Sequence, residues 1–122
     1  MIKKNINTDK IIIEGHSLGG SGTLYIGAHS RACFSAVVPI SGYPSYANLN
    51  NIKVPIRGYV GSSKKGEDTN SINYMREIFK NNFGIEKLFE RKVSHDNIPI
   101  TAFTEDLNND NKSDLIEWML TQ

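Results

Sequence analysis

Runs of apolar residues alternate with polar turns along the chain. Short apolar runs predict four β-strands, at Lys10 to Glu14, Ala36 to Ile40, Val54 to Val60 and Lys87 to Val93. These strands are apolar on both faces, which favours burial between helices over a sheet with one wet face. The pattern therefore predicts a sheet that is covered on both sides.

Segments with helical spacing lie between and after these strands. Leu18 to His29 predicts a helix, and three glycines on its face would let it lie close to the sheet: Gly19, Gly22 and Gly27. A second helix ends at Gly84 and is predicted from the spacing of Ile72, Met75, Phe79 and Phe83. Leu115 to Leu120 predicts a third helix. This order predicts one domain over residues 1–122, with a three-layer α/β fold and a mostly parallel sheet flanked by helices.

Composition narrows the classes of function. The 122 residues carry a net charge of +1, so the broad basic surface of a nucleic-acid-binding protein is not expected. No apolar run is long enough for a membrane span, and no secretory segment is recognised, so a cytoplasmic location is the default expectation. The one cysteine, Cys33, is predicted to be a small buried residue, with a reactive thiol as the alternative.

The glycine-rich stretch after the first strand carries the strongest chemical signal. Gly15-His16-Ser17-Leu18-Gly19 matches G-x-S-x-G between a predicted strand and a predicted helix. The pattern indicates a sharp, strained turn with Ser17 at its tip, where side chains at both glycine positions would clash. The backbone N–H of Leu18 would point at a developing oxyanion from the positive end of the helix. The alternative is a glycine-rich turn with a passive serine.

The sequence GHSLGG after IIIE resembles the nucleophile elbow of the α/β-hydrolase family, in its esterase, lipase and dienelactone-hydrolase-like branch. The resemblance implies a serine hydrolase of small carboxylic esters or similar acyl compounds, with Ser17 as nucleophile and no cofactor. It places the acid and then the histidine downstream. His95 follows the fourth predicted strand and matches the histidine, while the acid is expected at Asp68 or, as second choice, at Glu67.

Other readings of these residues stay open. His95 can be an ordinary loop histidine, and Asp68 can be the N-cap of the helix that follows it. His16 and His29 match the family's histidine less well, and Asp96 is too near His95 in sequence to orient that ring. Two tyrosines after the second strand are candidate pocket residues, Tyr43 and Tyr46.

The resemblance covers only the second half of the hydrolase fold. It implies that the strands before the elbow, and the loop that supplies a second oxyanion donor, are missing from this chain. We therefore expect a truncated α/β-hydrolase with weak or absent activity alone, whose first strand has an open apolar edge. A second copy or the missing half would pair there. The alternative function is a non-catalytic remnant or pairing module.

An Asn/Asp-rich stretch near the end of the chain is similar to an EF-hand calcium loop. Five oxygen ligands have the required spacing, namely Asp106, Asn108, Asp110, Asp114 and Glu117. Asn111 stands where the loop normally has glycine. The alternative is a turn followed by a capping box, with Asp114 as N-cap and Glu117 three residues later. Calcium is therefore a secondary expectation.

Overall fold

A parallel four-stranded sheet forms the centre of the protein. The computed structural model describes residues 9–62 and 69–122, and within them the spatial order of the strands is the order of the sequence. All three neighbouring pairs are parallel. The strands are β1 (Ile12–His16), β2 (Ala36–Ile40), β3 (Gly58–Gly61) and β4 (Leu88–Arg91). The predicted α/β fold is confirmed.

Four α-helices accompany the sheet in the described residues: α1 (Leu18–His29), α2 (Thr69–Ile78), α3 (Ile98–Thr104) and α4 (Asp114–Leu120). After α2 the chain continues in a π-helical turn, Phe79–Phe83. This helical segment ends at Gly84, whose φ is 108°. That conformation favours glycine and explains the predicted helix end. None of the helices in the described part of the chain has the length and apolar character needed to cross a membrane.

Two apolar clusters separate the fold into three layers. Helices α1 and α2 cover one face of the sheet, where Leu24, Val37, Val60, Met75 and Phe79 are packed together. Helices α3 and α4 cover the other face, where the buried residues include Val38, Ile40, Tyr59, Ile98 and Leu115. Successive residues of β2 and β3 enter opposite clusters because side chains alternate across a strand.

The edge strands are less buried than predicted. Every residue of β2 and β3 is buried, whereas β1 and β4 are half-buried and Glu14 is exposed. Only the two central strands therefore match the expectation of burial on both faces.

Several predicted boundaries are wrong. β1 begins two residues late and includes His16, and β3 begins only at Gly58, after an isolated bridge between Val37 and Ile56. Pro55 cannot donate a ladder hydrogen bond, which helps to shorten that strand. Helix α3 was not predicted, because its seven residues IPITAFT are mostly β-branched or aromatic and only its early proline is typical of a helix start.

Two side-chain predictions are also wrong. Cys33 is exposed, since it lies in the turn before β2 and not in the strand. The N-cap of α4 is Ser113, whose hydroxyl accepts a hydrogen bond from the Ile116 backbone N–H at 3.2 Å, and Asp114 is the first helical residue. A serine in this position satisfies one of the free N–H groups at a helix start.

The contact between α1 and β2 depends on one predicted glycine, Gly27, and on Gly20, which was not predicted. A Cβ added at Gly20 would lie 2.6 Å from the Ile40 carbonyl oxygen, and one added at Gly27 would lie 3.2 Å from Val37. At Gly19 and Gly22 an added Cβ would meet no atom within 4 Å. Gly20 and Gly27 therefore permit the close approach.

Substitution of Gly20 tests this contact. We expect Gly20→Ala to lower the free energy of unfolding by about 1–3 kcal/mol, because α1 must move away from β2. Gly22→Ala is the matched control and should raise it by about 0.5–1 kcal/mol, since alanine favours the helix and meets open space. Urea denaturation measures both. Equal effects of the two substitutions would contradict the packing role of Gly20.

Candidate active site

Ser17 occupies a strained turn between β1 and α1. Its φ of 62° and ψ of −119° lie outside the ordinary regions for a non-glycine residue. The turn is held by a hydrogen bond from the Ser17 N–H to the Ile40 carbonyl at 2.9 Å. A Cβ at Gly15 would collide with the Gly19 carbonyl, whereas one at Gly19 would meet no atom within 4 Å. The prediction that both glycine positions of the motif exclude a side chain is therefore correct for Gly15 and wrong for Gly19.

Leu18 is the first residue of α1, and its side chain is exposed. The N–H groups at the start of a helix have no carbonyl partner within the helix and carry its positive dipole end. The Ser17 carbonyl accepts the following bonds, from Gly20 at 2.9 Å and Ser21 at 3.2 Å. The Leu18 N–H belongs to this first turn, one residue after Ser17, and its role as an oxyanion donor stays a prediction.

His95 lies directly beside Ser17 although 78 residues separate them in sequence. Its Nε2 is 3.0 Å from the Ser17 hydroxyl oxygen, within hydrogen-bond distance. The loop that carries it crosses the end of β3, where a Cβ at Gly61 would lie 2.6 Å from the Val93 carbonyl oxygen. The structure therefore brings the predicted nucleophile and the predicted base together.

His16 contacts His95 in a way that the sequence did not reveal. The His16 Nε2 lies 2.7 Å from the His95 backbone oxygen. Because a carbonyl accepts, His16 carries the hydrogen on this nitrogen. The centroids of the His16 and His95 rings are 4.8 Å apart. The G-x-S-x-G motif allows any residue at position 16. His16 contacts the histidine loop because it is the last residue of β1, which ends beside that loop.

Tyr43 completes the surroundings of His95. Its hydroxyl is 3.5 Å from the His95 Nε2. Its backbone is tied to α1, because the Tyr43 N–H donates to the Ser21 hydroxyl at 2.8 Å and that hydroxyl donates to the Tyr43 carbonyl at 3.1 Å. Ser41, with φ 48°, turns the chain out of β2 toward this position. Of the two candidate pocket tyrosines only Tyr43 reaches the site, since Tyr46 is fully exposed.

The predicted acids, Asp68 and Glu67, lie outside the described residues, so their roles remain predictions. β3, the strand that precedes them, ends at Gly61, at the same edge of the sheet as Ser17 and His95. Asp96, which the sequence disfavoured as an orienter, is exposed.

An ion pair joins the two ends of the segment that contains His95. Arg91, the last residue of β4, donates from Nε and Nη2 to the Glu105 carboxylate at 2.6 and 2.8 Å, just after α3. Such a bidentate contact fixes the relative orientation of the two side chains in addition to pairing their charges. The hydrogen bonds from Arg91 hold the pKa of Glu105 below its ordinary value, although burial opposes this.

In the Asn/Asp-rich loop, carboxylates accept hydrogen bonds from backbone N–H groups. Asp106 accepts hydrogen bonds from the N–H groups of Asp110 at 3.1 Å and Asn111 at 2.8 Å, and the Asp110 contact is the main reason why the pKa of Asp106 is lowered. Asp114 accepts from the Leu107 N–H at 2.6 Å. Within residues 9–62 and 69–122, no three His, Cys, Asp or Glu side chains are placed to hold a metal. The geometry thus favours the turn over the calcium site.

Fold and site together define an α/β protein with a serine–histidine pair at the carboxyl edge of a parallel sheet. The chain is similar to a protein named acyl-protein thioesterase 1 homolog 2 from Dictyostelium discoideum, with 33% identity over 70 residues. The match spans 52% of this chain but only about a third, 32%, of that relative. No protein-family model matches the chain, and no solved structure matches it.

The Arg91–Glu105 pair makes stability depend on pH. The lowered pKa of Glu105 means that the pair stabilises the fold above the ordinary glutamate pKa of 4.5 and loses this effect as the pH falls through the lowered value. We expect Glu105→Gln to reduce the free energy of unfolding by about 0.5–1 kcal/mol at pH 7, and the difference to vanish in acid.

Urea denaturation from pH 7 to 3 measures this difference. Glu117→Gln is the control, because the Glu117 carboxylate is 3.8 Å from the Lys112 ammonium and makes a looser pair. A Glu105→Gln effect that does not decline at any point as the pH falls, even where the carboxylate is fully protonated, would show that charge pairing is not its cause.

Proposed function

We propose that the chain is a serine hydrolase that cleaves carboxylic esters or acyl thioesters. The observation that carries the proposal is the 3.0 Å contact between the His95 Nε2 and the hydroxyl of Ser17 on a strained strand-to-helix turn. A serine hydroxyl is a weak nucleophile until a base accepts its proton. The His95 ring is in position to do so.

The proposed reaction proceeds by acyl transfer in two steps. Ser17 attacks the acyl carbon while His95 accepts the hydroxyl proton, and the Leu18 N–H stabilises the oxyanion. His95 then gives the proton to the leaving alcohol or thiol. Water, activated by the same imidazole, releases the acid from the acyl-enzyme and regenerates Ser17.

We further propose that Asp68, with Glu67 as second choice, orients the His95 ring through its other nitrogen. The serine–acid–histidine order of the resemblance supports this assignment. Contact supports it as well, because Gly61 at the end of β3 packs against the carbonyls of Val93 and Ser94. The chain that leads to the acids therefore begins beside the histidine loop.

The acyl group is assigned at the level of a class. The name of the Dictyostelium relative supports thioesters, while the site chemistry is common to esters and thioesters. We expect a modest rate, because we assign one oxyanion donor, Leu18, and the loss of a second typically lowers the rate by ~10²–10³.

A pairing role is the second candidate. Among the described strands β1 is hydrogen-bonded only to β2, and the pairing role would place a second copy or another chain along its other edge. Half-buried Ile12 and Ile13 lie along this strand. A chain that forms dimers but whose Ser17 does not react would favour this function over catalysis.

Ester and thioester turnover tests the main proposal. We expect hydrolysis of p-nitrophenyl butyrate and of a short acyl thioester, and labelling by a fluorophosphonate probe. Ser17→Ala should abolish labelling and lower kcat by at least about a thousandfold. Ser30→Ala, at an exposed serine outside the site, is the matched control and should be unchanged.

The same assay distinguishes the two acids. Asp68→Asn should lower kcat by about 10³–10⁴ if Asp68 orients His95, and Glu67→Gln should then have little effect. The reverse result would assign the role to Glu67. Turnover that survives Ser17→Ala would refute Ser17 as the nucleophile, and a chain that neither labels nor turns over would refute catalysis by this chain alone.

His16 should affect catalysis by positioning His95. We expect His16→Phe to slow fluorophosphonate labelling and to lower kcat by about 10–100-fold with little change in KM, because the His95 backbone loses its donor. His16→Gln retains an N–H donor and should restore most of the rate. Equal rates for the Phe and Gln variants, with unchanged melting temperatures, would contradict this role.

A further inference from the structure

A cavity lies at the opposite end of the sheet from Ser17. It has a volume of about 410 Å³ and is formed by the segments that enter β3 and β4, together with a side chain of α4. The residues that define its chemistry are Lys53, Arg57, Lys87, Phe89 and Trp118. It is thus a basic cavity with an aromatic wall, and the proposed hydrolase reaction does not use it.

Arg57 forms part of the wall of this cavity and packs against two aromatic rings. Its guanidinium lies 4.6 Å from the centre of the Phe89 ring and 4.9 Å from that of Trp118, and its interaction with the buried Tyr59 hydroxyl opposes the rise in that hydroxyl's pKa that burial causes. In the described part of the chain no carboxylate forms a salt bridge with it, although the Glu105 carboxylate is near enough for the charge of Arg57 to help lower its pKa. Since a guanidinium has five N–H donors, Arg57 keeps donors for a ligand.

The side chains that line this cavity carry a net positive charge, which favours a negatively charged ligand. Lys53, Arg57 and Lys87 oppose one carboxylate, Glu86. The neighbouring cavity, of about 350 Å³, shares Arg57, Phe89 and Trp118 with the first, and its own carboxylates, Asp114 and Glu117, would repel an anion. A ligand with negative charge therefore favours the basic side.

We propose that the basic cavity binds a phosphate monoester with an aromatic or apolar body. Arg57 presents a forked set of donors that fits phosphate oxygens, and the two lysines add positive charge. The apolar body would lie against Phe89 and Trp118. The assignment is independent of the hydrolase, because the cavity and Ser17 are at opposite ends of the strands.

Trp118 provides a direct measurement, because it is the only tryptophan in the chain. We expect phenyl phosphate to change its fluorescence in a saturable way, and inorganic phosphate to bind at least several-fold more weakly because it lacks the ring. Phenol should bind weakest, since it lacks the anion. Arg57→Gln should weaken phenyl phosphate binding by at least about tenfold.

A second variant is needed because Arg57 also packs against two rings, so that Arg57→Gln could weaken binding by destabilising the fold. Lys53→Gln combined with Lys87→Gln changes two exposed side chains and should weaken binding several-fold without altering the melting temperature. Ser17→Ala should bind phenyl phosphate as the unaltered chain does. Equal binding of phenol and phenyl phosphate, or binding unaffected by both basic variants, would overturn the proposal.

Discussion

The close packing of α1 on the carboxyl end of β2 is the constraint on which the site depends. Gly20 allows the helix to approach the Ile40 carbonyl, and the same carbonyl accepts the hydrogen bond from the Ser17 N–H. These contacts hold Ser17 in a backbone conformation that an isolated chain would avoid. The hydroxyl therefore has a defined position before any substrate binds.

The parallel sheet converts this local turn into a site. Because all strands run in the same direction, the segments that follow β1, β2 and β4 reach a common edge, where Ser17, Tyr43 and His95 meet. The contacts of His16 and Arg91 then restrict the histidine loop from both sides. A base placed in this way needs little reorganisation to accept a proton, which is the physical basis of the proposed hydrolase.

The two ends of the strands differ in chemistry. The carboxyl end of the sheet offers a hydroxyl, an imidazole and the start of a helix, whereas the amino end offers fixed positive charge on an aromatic wall. These properties are the basis of the proposed acyl substrate at one end and the proposed anion at the other. A small fold can keep such sites apart because the rigid, buried β2 and β3 separate them.

The sequence alone determined the α/β fold and the turn at Ser17, because apolar periodicity and the strand–G-x-S-x-G–helix order are local signals, whereas His95 was singled out as its partner by the family resemblance. It did not reveal the short helix α3, whose residues have weak helix propensity, or the Ser113 cap one residue before the predicted one. Only the tertiary structure showed that His16 supports His95, that Gly20 and not Gly19 permits the close packing, and that Arg57 lies against two aromatic rings. These features depend on distances between residues far apart in sequence, which packing decides and local pattern does not encode.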